Sequence, residues 1–137
     1  MSLDLFARLP KHKLNDIECY CMPVNIDHLS MFTNGAIHLG NITHNLSEMA
    51  GHVFVDFGIS LYDTLWRANE CCGGDLDILR PLWQKGLDYL MDNYTIMKKY
   101  NPSNGYGDVD TLIEFTRLVI INSEKLVGIG VKCEADR

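Results

Sequence analysis

The sequence predicts an α+β fold, a mainly helical single domain of three to four helices with a small antiparallel sheet. Two helical apolar periods, over 76–99 and 109–125, carry the first half of that reading. Two extended runs, at 36–40 and 127–133, carry the second. With 137 residues, 47% of them apolar and 22% charged, the chain is expected to be one domain, 1–137. Residues 34–134 form its helical core with edge strands, and 1–33 an N-terminal elaboration.

Residues 1–33 show no clean period. Ile17, Cys19 and Cys21 alternate with Glu18 and Tyr20, so 17–24 reads as a short strand ending at Pro23. Leu29, Met31 and Phe32 are suited to covering a neighbouring apolar face. Residues 36–40 (Ala-Ile-His-Leu-Gly) read as a strand, and 41–51 as a helix start and a short helix. Asn41 or Thr43 can cap that helix, Ile42, Leu46 and Met49 share one side, and Gly51 can end it.

Phe54, Val55 and Phe57 make 52–58 a buried loop or strand. Residues 59–69 read as helical, with Leu61, Leu65 and Ala68 inward. Cys71-Cys72-Gly73-Gly74 breaks the chain, and Asp75 caps the helix predicted over 76–99. On its apolar face, Gly86 implies close approach of another element. Asn101-Pro-Ser-Asn-Gly-Tyr-Gly107 is a dense turn signal, after which Asp108 caps the helix 109–125. Val127, Ile129, Val131 and Cys133 alternate as a half-buried strand that is expected to pair with 36–40.

Charge narrows the functional classes. Twelve basic against 18 acidic residues give −6, without the basic footprint of a nucleic-acid binder. No apolar run approaches the ~20 residues of a membrane span. The start, MSLDLFARLPKHK, lacks the order of a secretory signal. Five cysteines, an odd number with Cys71 and Cys72 adjacent, argue against a disulfide framework and for a reducing cytoplasm. Cys19-x-Cys21 with His12 and His28 lacks the second ligand pair of a structural zinc site, so no metal is expected.

Two polar segments precede helices and form the candidate site. The first contributes Asn41, Thr43, His44 and Asn45; the second Asn101, Asn104, Tyr106 and Asp108. Helix N-termini offer free N–H groups to a phosphate or carboxylate. Asparagine amides suit a base edge or ribose hydroxyls, Trp66 or Tyr106 can stack on a base, and Arg67, Arg80, Lys98, Lys99 and Arg117 can meet phosphates. The plainer reading is that these asparagines cap and turn the backbone and that Trp66 and Trp83 are core. Arg67, Arg80, Lys98, Lys99 and Arg117 are, on that reading, solvated helix charges.

Known catalytic templates are missing: no G-x-S-x-G, Walker loop, H-E-x-x-H or dinucleotide glycine pattern occurs. Glu114 with His44 is the one acid–base pair on offer, and no catalytic residue or cofactor is assigned.

Four motifs in order resemble a family of small proteins common in phage and prophage genomes. They are Asn41-Ile-Thr-His-Asn-Leu46, Leu61-Tyr-Asp-Thr-Leu-Trp-Arg67, Pro81-Leu-Trp-Gln-Lys-Gly-Leu87 and Asn101 to Gly107, covering about 36–133. Tyr106 stands where the pattern has Trp, keeping an aromatic face; Val109 stands where it has Tyr, removing a hydroxyl. The resemblance implies a phage accessory protein in the host cytoplasm, not a reaction. The expectation is therefore a binding protein for a small nucleotide-like ligand, with no nucleic-acid or membrane partner. It would sequester a cyclic-nucleotide or ADP-ribose immune signal, with a homo-oligomer as its means of enclosure. Alternatives are an enzyme that cleaves such a signal and an acidic protein that blocks a host protein.

Overall fold

The structure, a computed structural model, describes residues 2–9, 11–14, 17–20, 36–128 and 130–137. It is an α+β domain in which helices cover one face of a three-stranded antiparallel sheet. The middle strand is β1 (Ser2–Arg8), flanked by β4 (Ala36–Thr43) and β7 (Lys132–Asp136). Leu3, Leu5 and Ala7 of β1 are buried, while Asp4, Phe6 and Arg8 face the other way. That strict period of two defines a half-buried strand. The reading of 1–33 as lacking a clean period is thereby corrected for 2–8.

The expected pairing of 127–133 with 36–40 is corrected too. Both runs border β1, with Leu3 opposite Ile42 and Ala7 opposite Cys133. The last strand begins only at Lys132, because Gly128 and Gly130 take left-handed φ of 79° and 80° and turn the chain first.

β2 (Lys11–Leu14) and β3 (Ile17–Tyr20) form a separate hairpin, which matches the first half of the strand read over 17–24. Cys21–Val24, Leu29, Met31, Phe32 and His28 lie outside the described residues, as do the side chains of His12 and Cys19.

β4 runs on through Thr43, so Asn41 is a strand residue and not a cap. Thr43 does the capping: its hydroxyl accepts from the Asn45 N–H at the start of a 3-10 turn, His44–Leu46, that leads into α1 (Ser47–Gly51). A small hairpin, β5 (Phe54–Asp56) and β6 (Ile59–Ser60), delivers the chain to α2 (Leu61–Leu65). There Ser60 and Asp63 make a reciprocal capping box. After the left-handed turn at Cys72, Gly73 and Gly74, Asp75 caps α3 (Leu76–Asp92).

The helix read over 76–99 is broken at Asn93, then resumes as α4 (Tyr94–Met97) and a 3-10 turn. At Asn93 the backbone leaves helical geometry, with φ of −117° and ψ of 28°, while its N–H and its side-chain amide both donate to the Tyr89 carbonyl, at 2.9 and 3.0 Å. Gly86 is needed where expected: a Cβ there would lie 2.6 Å from a Leu61 methyl.

α5 (Val109–Ser123) lies across α3 and the sheet. Gly40 lets it approach, since a Cβ there would sit 3.0 Å from the Phe115 ring. Asn122 donates to the Leu39 carbonyl at 2.9 Å, beside an irregularity in the β1–β4 register. Arg80, read as a solvated charge, instead donates to Ser123 Oγ and the Ile120 carbonyl, closing the C-terminal end of α5. Trp66 and Trp83 are core, and each indole N–H has an acceptor, His44 Nδ1 and the Thr64 carbonyl respectively. No helix among the described residues is long and apolar enough to cross a membrane.

Candidate functional site

The two polar segments do meet. Gly107 takes φ of 93°, and a Cβ there would lie 3.0 Å from Leu46 and 3.2 Å from the Thr43 methyl. Their side chains are largely committed to holding the chain together. Asn101 Oδ1 accepts from the Val109 N–H at 3.2 Å, and Asn104 Oδ1 from the Tyr106 N–H at 3.0 Å. Asp108 and Thr111 form a reciprocal capping box. The first turn of α5 thus carries two acidic side chains, Asp108 and Asp110, and two of its N–H groups already have side-chain acceptors. That corrects the expectation of a free anion site there. Asp75 caps α3 in the same way, and in the first turn of α2 Asp63 accepts from the Ser60 N–H at 2.9 Å.

Around the first segment, His44 Nδ1 accepts from Trp66 Nε1 at 3.0 Å. An indole nitrogen only donates, so Nδ1 carries no proton in this arrangement and the neutral ring keeps its hydrogen on Nε2. Trp66 is 1% exposed and stacks on Tyr62 at 5.8 Å. Its assignment as a stacking platform for a ligand is corrected: no ring face is free. Tyr106, 69% exposed, retains that capacity. Asn45 is exposed. Arg67 is engaged by Glu70 at 2.8 and 2.6 Å, beside a depression of about 240 Å³ that it shares with Asp63 and Cys71.

A concavity lies beside this junction, along the outward face of α5. It measures about 550 Å³ and is lined by Asn41, Asp110, Thr111, Glu114, Phe115, Arg117, Leu118 and Ile121. Of the residues of the two polar segments, Asn41 lines it, as does Arg117, one of the five cations that could meet a phosphate. The Asn41 amide donates to Ser2 Oγ at 3.1 Å and Asp4 Oδ1 at 2.9 Å. That bond, with a second from His38, holds the Asp4 carboxyl below its ordinary value.

On the other flank of α5, Asp110, Glu114 and Arg117 also border a groove of about 370 Å³ with Met91, Tyr94 and Ile113. Tyr94 donates to Asp110 at 2.9 Å, and this bond pushes the phenol above its usual range.

Leu118 and Ile121, 46% and 58% exposed, supply the apolar wall. The sequence signal for this face was present: Asp110, Glu114, Arg117, Leu118 and Ile121 recur at helical spacing outside the buried stripe. His44 and Glu114 share no hydrogen bond among the described residues, and no described cluster of three His, Cys, Asp or Glu is placed to hold a metal. No family model matches the chain, and neither a curated protein nor a solved structure matches it.

Proposed function

We propose that the protein binds a small nucleotide-like ligand in the groove between Asn41 and the outward face of α5. The supporting observation is that a residue of the first polar segment and the start of the helix after the second share one concavity of about 550 Å³. That volume falls in the range of small-molecule sites. Asp110 and Glu114 are acceptors for ribose hydroxyls or a base amino group. Leu118 and Ile121 offer an apolar surface to a base, and Arg117 supplies one cation for one phosphate. The two carboxylates favour ligands with few phosphates over nucleoside triphosphates.

The four motifs in order support placing the protein among phage accessory proteins. On that reading the ligand is an immune signal, held in the host cytoplasm rather than cleaved. Holding is favoured over turnover because His44 spends Nδ1 on the Trp66 indole, leaving Glu114 without a partnered base.

Titration with AMP, ADP-ribose, a cyclic dinucleotide and ATP tests this, followed by heat release and mass analysis. Saturable binding of one of the first three is expected, weaker for ATP, with the ligand recovered intact. Arg117→Ala and Glu114→Gln should each weaken it about tenfold, roughly 1.4 kcal/mol. Absence of binding by all four removes the reading. A ligand recovered with altered mass would replace it with the cleaving enzyme. The exposed Leu118 and Ile121 on a chain of charge −6 support a second reading, a basic protein partner, for which pull-down from host lysate would yield one stoichiometric species.

A further inference from the structure

We propose that Cys71 and Cys72 form a reversible redox-modification site, a vicinal dithiol that closes to a disulfide by exchange with glutathione disulfide. Their sulfurs already lie 3.4 Å apart. Both side chains are partly exposed, whereas Cys133 is buried. Cys71 also borders the surface depression of about 240 Å³ with Gly58, Asp63 and Arg67, so a small disulfide has a place to approach.

The backbone points the same way. Cys72 has φ of 58°, the one non-glycine residue with positive φ among those described, and Gly73 and Gly74 follow at 62° and 75°. A left-handed β-carbon-bearing residue marks local strain held by its surroundings. Nothing in the turn gives Cys72 the short polar side chain that usually excuses this conformation. Adjacent Cα atoms stand about 3.8 Å apart, below the usual disulfide span of about 4.4–6.8 Å. A bond between neighbours is therefore strained and readily reduced, as a switch requires and a structural staple does not. Burial and the neighbouring Cys72 push the Cys71 thiol up to about 11, which makes closure slow near neutrality and faster as pH rises.

In the exchange, one protein thiolate attacks a sulfur of glutathione disulfide. A protein–glutathione S–S bond forms and one glutathione thiolate leaves. The second cysteine gives its proton to solvent and attacks the protein sulfur of that bond, forming the Cys71–Cys72 bond and releasing the second glutathione. Two protein thiols are oxidised, and one glutathione disulfide is reduced to two glutathiones. The bond would sit in the turn that caps α3 through Asp75 and abuts β7 at Cys133, where a Cβ on Gly74 would meet the Cys133 carbonyl at 2.8 Å.

The full-length protein is equilibrated with excess glutathione disulfide at mildly alkaline pH, alkylated and mapped by mass spectrometry. Mapping separates this peptide from Cys19 and Cys21. The peptide holding Cys71 and Cys72 should lose two hydrogens, resist alkylation and recover both thiols with dithiothreitol. Cys71→Ser and Cys72→Ser should each leave this peptide without an internal bond, carrying at most one glutathione. Two alkylatable thiols in the wild type at equilibrium, or a glutathione that stays on the wild-type peptide, would overturn the proposal.

Discussion

The loop 101–108 and the outward face of α5 adjoin each other and are both polar, yet they differ in what their polar groups are free to do. In the loop, Asn101, Asn104 and Asp108 spend an oxygen on a backbone N–H of the same junction. On the helix face, Glu114 has no hydrogen-bond partner among the described residues, and Arg117 makes only a 3.9 Å contact to the Met91 sulfur. Residue type made the loop the more attractive candidate. Hydrogen-bond bookkeeping makes the helix face the better one, because a group already satisfied must give up a bond before it meets a ligand.

The comparison breaks most sharply at Gly107, where the two segments touch. Gly107→Ala combines an unfavourable left-handed β-carbon with contacts on Leu46 and Thr43, and should destabilise by about 2–4 kcal/mol. Urea unfolding measures this; a loss under ~0.5 kcal/mol would mean that the segments are not in firm contact. Next comes His44. His44→Ala strands the buried Trp66 N–H and should cost about 1–3 kcal/mol. In a double-mutant cycle with Trp66→Phe, the pair should lose less than the two single costs added together.

Asn101→Ala and Glu114→Gln sharpen the contrast directly. The first should cost about 1 kcal/mol in stability, as the loss of an N-terminal helix contact does. The second should change stability by less than ~0.5 kcal/mol while weakening ligand. Reversal of that pattern would move the site to the loop. The smallest effect concerns Asp4. Asn41→Ala should raise its pKa back towards the ordinary 3.8, read by carboxyl NMR titration. Since the folded value is the lowered one, the stabilising contribution of Asp4 is present above 3.8 and fades as pH falls through the folded value.

Much of the fold was legible because local chemistry dictates it. Asp75 and Asp108 cap the helices they precede, and Leu79, Trp83, Leu87 and Leu90 are buried on one stripe of α3. The break at Asn93 was missed because one residue leaves helical φ and ψ inside an apolar period that continues past it. β1 was missed although Leu3, Leu5 and Ala7 alternate with Asp4, Phe6 and Arg8, a pattern obscured by the aperiodic residues after it. Of the candidate site, Asn41 was found for the wrong reason. It was read as a cap, but it lines the groove as a strand residue. Glu114 had been noted only as a partner for His44, and Arg117 only as one of five cations that could meet a phosphate, a solvated helix charge by default.

By itself the sequence determined the helix starts, the glycine turns and the inward stripes, since each depends on residues within a turn or two of one another. Tertiary structure alone decided that β1 stands between β4 and β7, that the Trp66 indole is closed off by His44 and Tyr62, and that Asn41 borders α5. Those outcomes depend on which distant surfaces share a boundary and which polar groups are spent there, and no local period encodes either.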